Sequence, residues 1–227
     1  MAVLEQAPAL YEGQRIDQST FHRLYKATQE GFRAELIGGI VHIMSPAGEE
    51  HSGSHGEVSG WLLVFKAASP GVRAHVTPTV ILGLSDEPEP DACLRILPSH
   101  GGMTRIEEGC IAGPPELVVE VGVSSAKLDL NRKKSRYEAL GVQEYVVVAP
   151  TRGQLHWFLL QNGRYETIPS DEDGILRSRI FPGLWLDPAA LLTGNTARVL
   201  QVLQQGVDSE EHQQWAAKLQ AFGKEHE

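Results

Sequence analysis

The sequence predicts an α/β (α+β) domain in which a mixed β-sheet is flanked by helices. Three observations predict it. Apolar runs of strand length fall at 92–97, 117–121 and 144–148, helix-period stripes surround them, and Gly38-Gly39 and Asn162-Gly163 punctuate two hairpin patterns. At 227 residues, 41% of them hydrophobic and 22% charged, the chain can bury one sizeable core.

The elements follow in order. Asp17-Gln18-Ser19-Thr20 supplies N-caps for a first helix running to about Gln29, ahead of Gly31. Arg33 to Met44 carries Leu36, Ile37, Ile40, Val41 and Ile43 around Gly38-Gly39, a hairpin. Val58, Trp61, Leu62 and Phe65 follow the i, i+3, i+4, i+7 spacing of an amphipathic helix, which Ser69-Pro70-Gly71 stops. Val72 to Leu82 reads as one strand, Ser85 to Pro90 as a turn, and Asp91 to Leu97 as the next strand. Pro98 to Gly113 is glycine-rich and reads as a loop. Glu116 to Val121 is strand, Ser125 to Leu140 helix, and Glu144 to Val148 a strand buried on both faces. Leu155 to Leu160 and Arg164 to Ile168 form a second hairpin, in which Trp157 and Phe158, with Phe181 and Trp185, read as core. Asp187 caps a helix to Leu203 with Pro188 at its first position, and a last helix begins near Asp208-Ser209. The expected division is an extension over 1–16, a domain over 17–192 and a helical tail over 193–227.

Chemistry concentrates at the strand ends. Asp91 opens one apolar run and Glu120 closes another about thirty residues on. Two carboxylates so placed are what a hard, oxygen-seeking ion such as Mg²⁺ needs. A carboxylate among Val118, Val119 and Val121 is costly to bury unless paired or metal-bound. Asp91 alone also reads as a turn-capping acid after Pro90. Downstream, Asp129, Lys133 and Tyr137 recur every four residues on one helix face. Acid, acid and nearby lysine together suggest metal-dependent hydrolysis of a phosphodiester.

A net charge of −9 argues against a protein that coats nucleic acid along a broad face. A local cluster remains: Lys127, Arg132, Lys133, Lys134 and Arg136, five bases within ten residues. Such a run is either a solvated helix face or a dock for phosphates. Cys93 and Cys110 lack CxxC spacing and read as reduced thiols, no apolar run spans a membrane, and Met1 to Gly13 has no signal-peptide core. A cytoplasmic protein is expected. His51 and His55 stand at i, i+4, but Ser52 occupies the place where the zincin pattern has glutamate. Helix-cap or DNA-facing roles are expected for them instead.

Five segments then occur in order: Glu35-Leu36-Ile37-Gly38-Gly39, Met44-Ser45-Pro46, Pro90-Asp91, Gly113 to Val121 and Gly141-Val142-Gln143-Glu144-Tyr145. With Asp129, Lys133 and Tyr137 they resemble the Putative restriction endonuclease family of the PD-(D/E)xK nuclease superfamily, over about residues 17 to 190. The resemblance implies a restriction-endonuclease-like core and Mg²⁺- or Mn²⁺-dependent cleavage of DNA. It implies Asp91, Glu120 and the Val121 carbonyl as metal ligands and Glu35 as a further acid reaching the same site. The motif lysine belongs two residues after the second acid, where this chain has Gly122. Lys133 on the following helix matches its displaced position, with Lys127 the weaker substitute. Lys127, Arg132, Lys134 and Arg136 are then the expected phosphate contacts. A homodimer would present two sites, one for each strand. Two alternatives stay open: a nuclease-fold module that binds without cutting, which Gly122 and the acidic charge motivate, and a small-molecule phosphoesterase.

Overall fold

The computed structural model describes residues 9–46, 48–122 and 132–225. Its centre is a six-stranded sheet in the order β11-β10-β9-β8-β5-β3. These strands are β3 (Val72–Val76), β5 (Ala92–Ile96), β8 (Leu117–Val121), β9 (Glu144–Ala149), β10 (Gln154–Gln161) and β11 (Arg164–Thr167). Every neighbouring pair is antiparallel except β8 and β9, which run parallel. The return between those two includes helix α3 (Lys134–Leu140), as a parallel pair requires a crossover.

Period-2 alternation sorts the central strands onto two cores. Ala92, Leu94, Leu117, Val119, Val121, Val146 and Val148 face Val58, Trp61, Leu62 and Phe65 of helix α2 (Glu49–Ala67). Cys93, Val118, Tyr145 and Val147 face the other way, onto Tyr137 of α3. A third cluster joins Phe21 and Leu24 of α1 (Gln18–Tyr25) to Ala34, Leu36 and Val41 of the hairpin β1 (Ala34–Ile37) and β2 (Ile40–Ile43). Gly38 and Gly39 make that hairpin's turn at φ of 59° and 74°, the left-handed region that glycine occupies without strain.

Four expectations need correction, each for a local reason. Helix α1 ends four residues early, with the Thr28 hydroxyl bonded to the Tyr25 carbonyl at 2.7 Å. The strand foreseen from Val72 to Leu82 breaks at Thr77, which takes φ of 47° before Pro78. Its second half, β4 (Val80–Ile81), leaves the main sheet and pairs parallel with β7 (Cys110–Ala112). That pairing overturns the loop expected at Pro98 to Gly113, where β6 (Arg105–Glu107) and β7 form a hairpin through Glu108-Gly109. Both turn residues have positive φ, the geometry of a tight two-residue turn. Finally, the single helix expected from Asp187 to Leu203 is two, α4 (Pro188–Leu192) and α5 (Thr196–Val207). Gly194 at φ of 67° turns the chain, and the Asn195 side chain caps α5.

The C-terminal segment packs on the same core as the sheet. Val199 and Leu203 of α5 and Leu219 of α6 (Glu210–Glu225) are buried within the α2 cluster. Ahead of them, the short pair β12 (Leu176–Arg177) and β13 (Trp185–Leu186) brackets a loop tied to Glu144. The Glu144 carboxylate, buried at the start of β9, accepts from Ser178 Oγ, Trp157 Nε1 and the amides of Arg179 and Ile180. Phe181 and Trp157 are buried as foreseen, whereas the Trp185 ring is partly exposed and stacks with the Arg177 guanidinium. No described helix is long and apolar enough to cross a membrane.

Candidate active site

The alternation that builds the sheet also aims Glu120. It shares a face with Val118 on β8 and so points to α3, away from Val119 and Val121. Only 4% of it is exposed. One oxygen, Oε1, accepts from Lys133 Nζ at 3.0 Å and from the Tyr137 hydroxyl at 2.9 Å. Lys133 and Tyr137 lie four residues apart, so one helix face delivers both donors.

Lys133 is 3% exposed, and its ammonium also lies 2.9 Å from Glu35 Oε2. Glu35, on β1, is buried as well and accepts weakly from the Glu89 amide at 3.3 Å. Burial raises the Glu89 carboxyl, against the pull of its Arg33 partner at 3.1 Å. Tyr137 is pushed well above the usual phenol range, first by burial and then by the Glu120 charge, so it remains a donor. Glu35 and Glu120 thus share the Lys133 ammonium, with the Glu89–Arg33 pair beside them.

Asp91 stands just before β5. Ala92 pairs with Val119, so Asp91 stands at the end of that strand pairing. Its Oδ2 accepts from the Val121 amide at 2.7 Å. Burial by itself would raise this carboxyl, but the His51 hydrogen bond and the Val121 amide outweigh it and hold the pKa below the usual range. His51 Nε2 lies 3.3 Å from Asp91 Oδ1, and His55 Nε2 lies 2.7 Å from the Asp91 carbonyl.

Those two histidines are what the sequence reading missed. Gly48, with no side-chain cap, begins α2, and both rings turn to Asp91 instead of capping the helix. The i, i+4 spacing was the available signal; the third member lies 36 residues away and comes from a different element. One donor atom from each of His51, His55 and Asp91 falls within 4.8 Å of the others. A carboxylate oxygen and two imidazole nitrogens converging on one spot fit a divalent cation.

The basic residues separate. Arg132 is exposed and meets His42 Nε2 at 3.1 Å. Lys134 places its ammonium 3.8 Å from the centre of the Phe158 ring. Arg136 is half-buried and already has an acidic partner. Its guanidinium pairs with buried Asp86, with Nε at 3.0 Å from Oδ1, and reaches Ser85 Oγ. Lys127, Asp129, Ser124 and Ser125 lie outside the described residues.

Comparison with known proteins sets this geometry in a family. The Uma2 model, described as Putative restriction endonuclease, matches residues 18–189, most of the chain. The chain belongs to that family. Uma2 membership supports a nuclease-type activity for the chain. Its fold is similar to the crystal structure of a putative nuclease belonging to DUF820 from Anabaena variabilis, at 18% identity and a TM-score of 0.55. That likeness covers 75% of this chain and 97% of the other. No curated protein matches the chain.

Proposed function

We propose that this Uma2-family protein is an endonuclease that hydrolyses phosphodiester bonds in DNA with a divalent metal, Mg²⁺ or Mn²⁺. The observation that carries the reading is Lys133. A buried ammonium is expensive, and here it is held against Glu120 at 3.0 Å and Glu35 at 2.9 Å. A helix thereby supplies the cation that Gly122 cannot.

Asp91 and Glu120, with the Val121 carbonyl, would hold the ion, and Glu35 would contribute from the Lys133 side. When bound, a divalent cation supplies neutralisation of phosphate charge and activation of water at neutral pH. The chain's own groups do the rest. The Val121 amide keeps Asp91 in place and ionised, while Tyr137 fixes the orientation of Glu120. Lys133, held between Glu35 and Glu120, would stabilise the charge that develops on the reacting phosphate. Arg132 and Lys134 flank Lys133 at the start of α3 and would take the DNA backbone, with Lys127 preceding them in sequence. A homodimer in the cytoplasm would apply one such site to each strand.

A second reading, a nuclease-fold module that binds DNA without cutting it, draws on Gly122 at the motif position. Incubating supercoiled plasmid and single-stranded DNA with the protein and Mg²⁺ or Mn²⁺ separates the two readings. The nuclease reading expects nicked and linear products that disappear in Asp91→Asn. Binding without any product in either metal would favour the module.

A further inference from the structure

The proposed metal centre as the motif defines it is all oxygen, yet the structure sets two imidazoles on the same aspartate. We propose that His51 and His55 join Asp91 in a mixed nitrogen–oxygen site that prefers a first-row transition dication over Mg²⁺. This deepens the nuclease reading and rests on it through the shared ligand Asp91.

The scaffold under the trio is rigid. His51 and His55 occupy one face near the start of α2, with ring centroids 5.9 Å apart. Further along the helix Val58, Trp61, Leu62 and Phe65 are locked in the main core, and the Trp61 indole donates to the Trp185 carbonyl at 3.0 Å. Asp91 is fixed independently by the Val121 amide. Two anchored elements therefore bring the donor atoms within 4.8 Å of one another. Ligands at about 2.0–2.2 Å from one ion lie at most about 4.4 Å from one another, inside that limit.

The donor types then set the preference. Mg²⁺ takes oxygen ligands in near-ideal octahedral geometry and keeps much of its water. Imidazole suits transition metals, and two histidines with one carboxylate leave coordination positions open for water and substrate. As neutral rings, each histidine offers one lone pair while its proton sits on the other nitrogen. A histidine pair lacking the zincin glutamate is thus completed from a strand end instead of from its own helix.

The test uses the full chain stripped of metal. Free Mn²⁺ is followed by electron paramagnetic resonance during titration, with Mg²⁺ as competitor. Pulsed measurements compare unlabelled protein with protein carrying ¹⁵N-histidine. We expect tight Mn²⁺ binding, about tenfold or more over Mg²⁺, and a nitrogen coupling that changes with the label. His51→Gln with His55→Gln should remove the coupling and bring the two affinities close together. Bound Mn²⁺ without histidine coupling in the unsubstituted protein overturns the proposal, as does an unchanged preference in the double variant. DNA cleavage by a protein whose Mn²⁺ shows no nitrogen coupling would sink this inference and leave the nuclease reading standing. Nitrogen-coupled Mn²⁺ in a protein that cuts nothing would do the reverse.

Discussion

Lys133 Nζ and Glu120 Oε1 lie 3.0 Å apart with both residues almost wholly buried. Glu35 takes the same ammonium at 2.9 Å, so one lysine separates two carboxylates that would otherwise face each other unscreened. Removing one partner of a buried ion pair commonly costs about 3–5 kcal/mol, because the charge left behind remains buried. Lys133→Met should therefore lower stability by about that amount in urea denaturation at neutral pH. Adding Glu120→Gln should restore part of the loss. A single Lys133→Met variant as stable as the parent would mean that the acids do not depend on the lysine.

Tyr137 offers a gentler perturbation of the same carboxylate. Tyr137→Phe keeps the ring in its cluster and deletes only the 2.9 Å hydrogen bond to Glu120. The expected stability loss is about 1–2 kcal/mol. Outer partners of metal-holding carboxylates typically affect function about 10- to 100-fold, so turnover should fall in that range with little change in DNA affinity. Unchanged turnover would detach Tyr137 from the site.

Glu144 predicts a pH signature. Burial lifts its carboxyl to about 7, despite the donors of Ser178, Trp157, Arg179 and Ile180 that favour the ionised form. The folded chain thus binds a proton here more tightly than the unfolded chain, whose glutamate titrates near 4.5. Stability from this group is present in acid and is lost as pH rises between about 4.5 and 7. Glu144→Gln should flatten that part of the profile relative to the parent, measured by thermal melts from pH 4 to 8. Parallel profiles would show that Glu144 titrates alike in the folded and unfolded chain.

The central architecture was legible because local pattern and tertiary environment agree. β8 and β9 read as strands from runs that are apolar but for one glutamate each, and every residue of both is buried. The grouping of Lys133 with Tyr137 was legible from helical spacing alone. The partnership of His51 and His55 with Asp91 was not, since nothing local records which strand end meets α2. The Arg136–Asp86 pair was hidden for a related reason. A basic run says nothing about Asp86, fifty residues upstream, whose buried carboxylate claims the guanidinium. The β6–β7 hairpin was hidden because Glu108 adopts a positive φ that its residue type does not advertise.

That difference among the bases leads to a prediction about DNA. Arg132→Glu with Lys134→Glu should weaken binding several-fold at low salt, with Ca²⁺ present to block cleavage. Each phosphate no longer neutralised should flatten the slope of log affinity against log salt by about 0.9. Arg136→Ala should instead lower the melting temperature, because it strands Asp86, which is 1% exposed. Equal loss of DNA affinity and no loss of stability in Arg136→Ala would return that residue to the phosphate-binding set.

The most direct test of the central claim is plasmid cleavage by metal-supplemented protein, compared with Asp91→Asn and Glu120→Gln at matched folding. Both substitutions keep side-chain size, and Asp91→Asn retains an oxygen for the Val121 amide to donate to. Nicking by the parent chain should depend on added Mg²⁺ or Mn²⁺ and fall to background in both variants. Cleavage that persists in the variants, or that survives removal of metal by chelator, would contradict it.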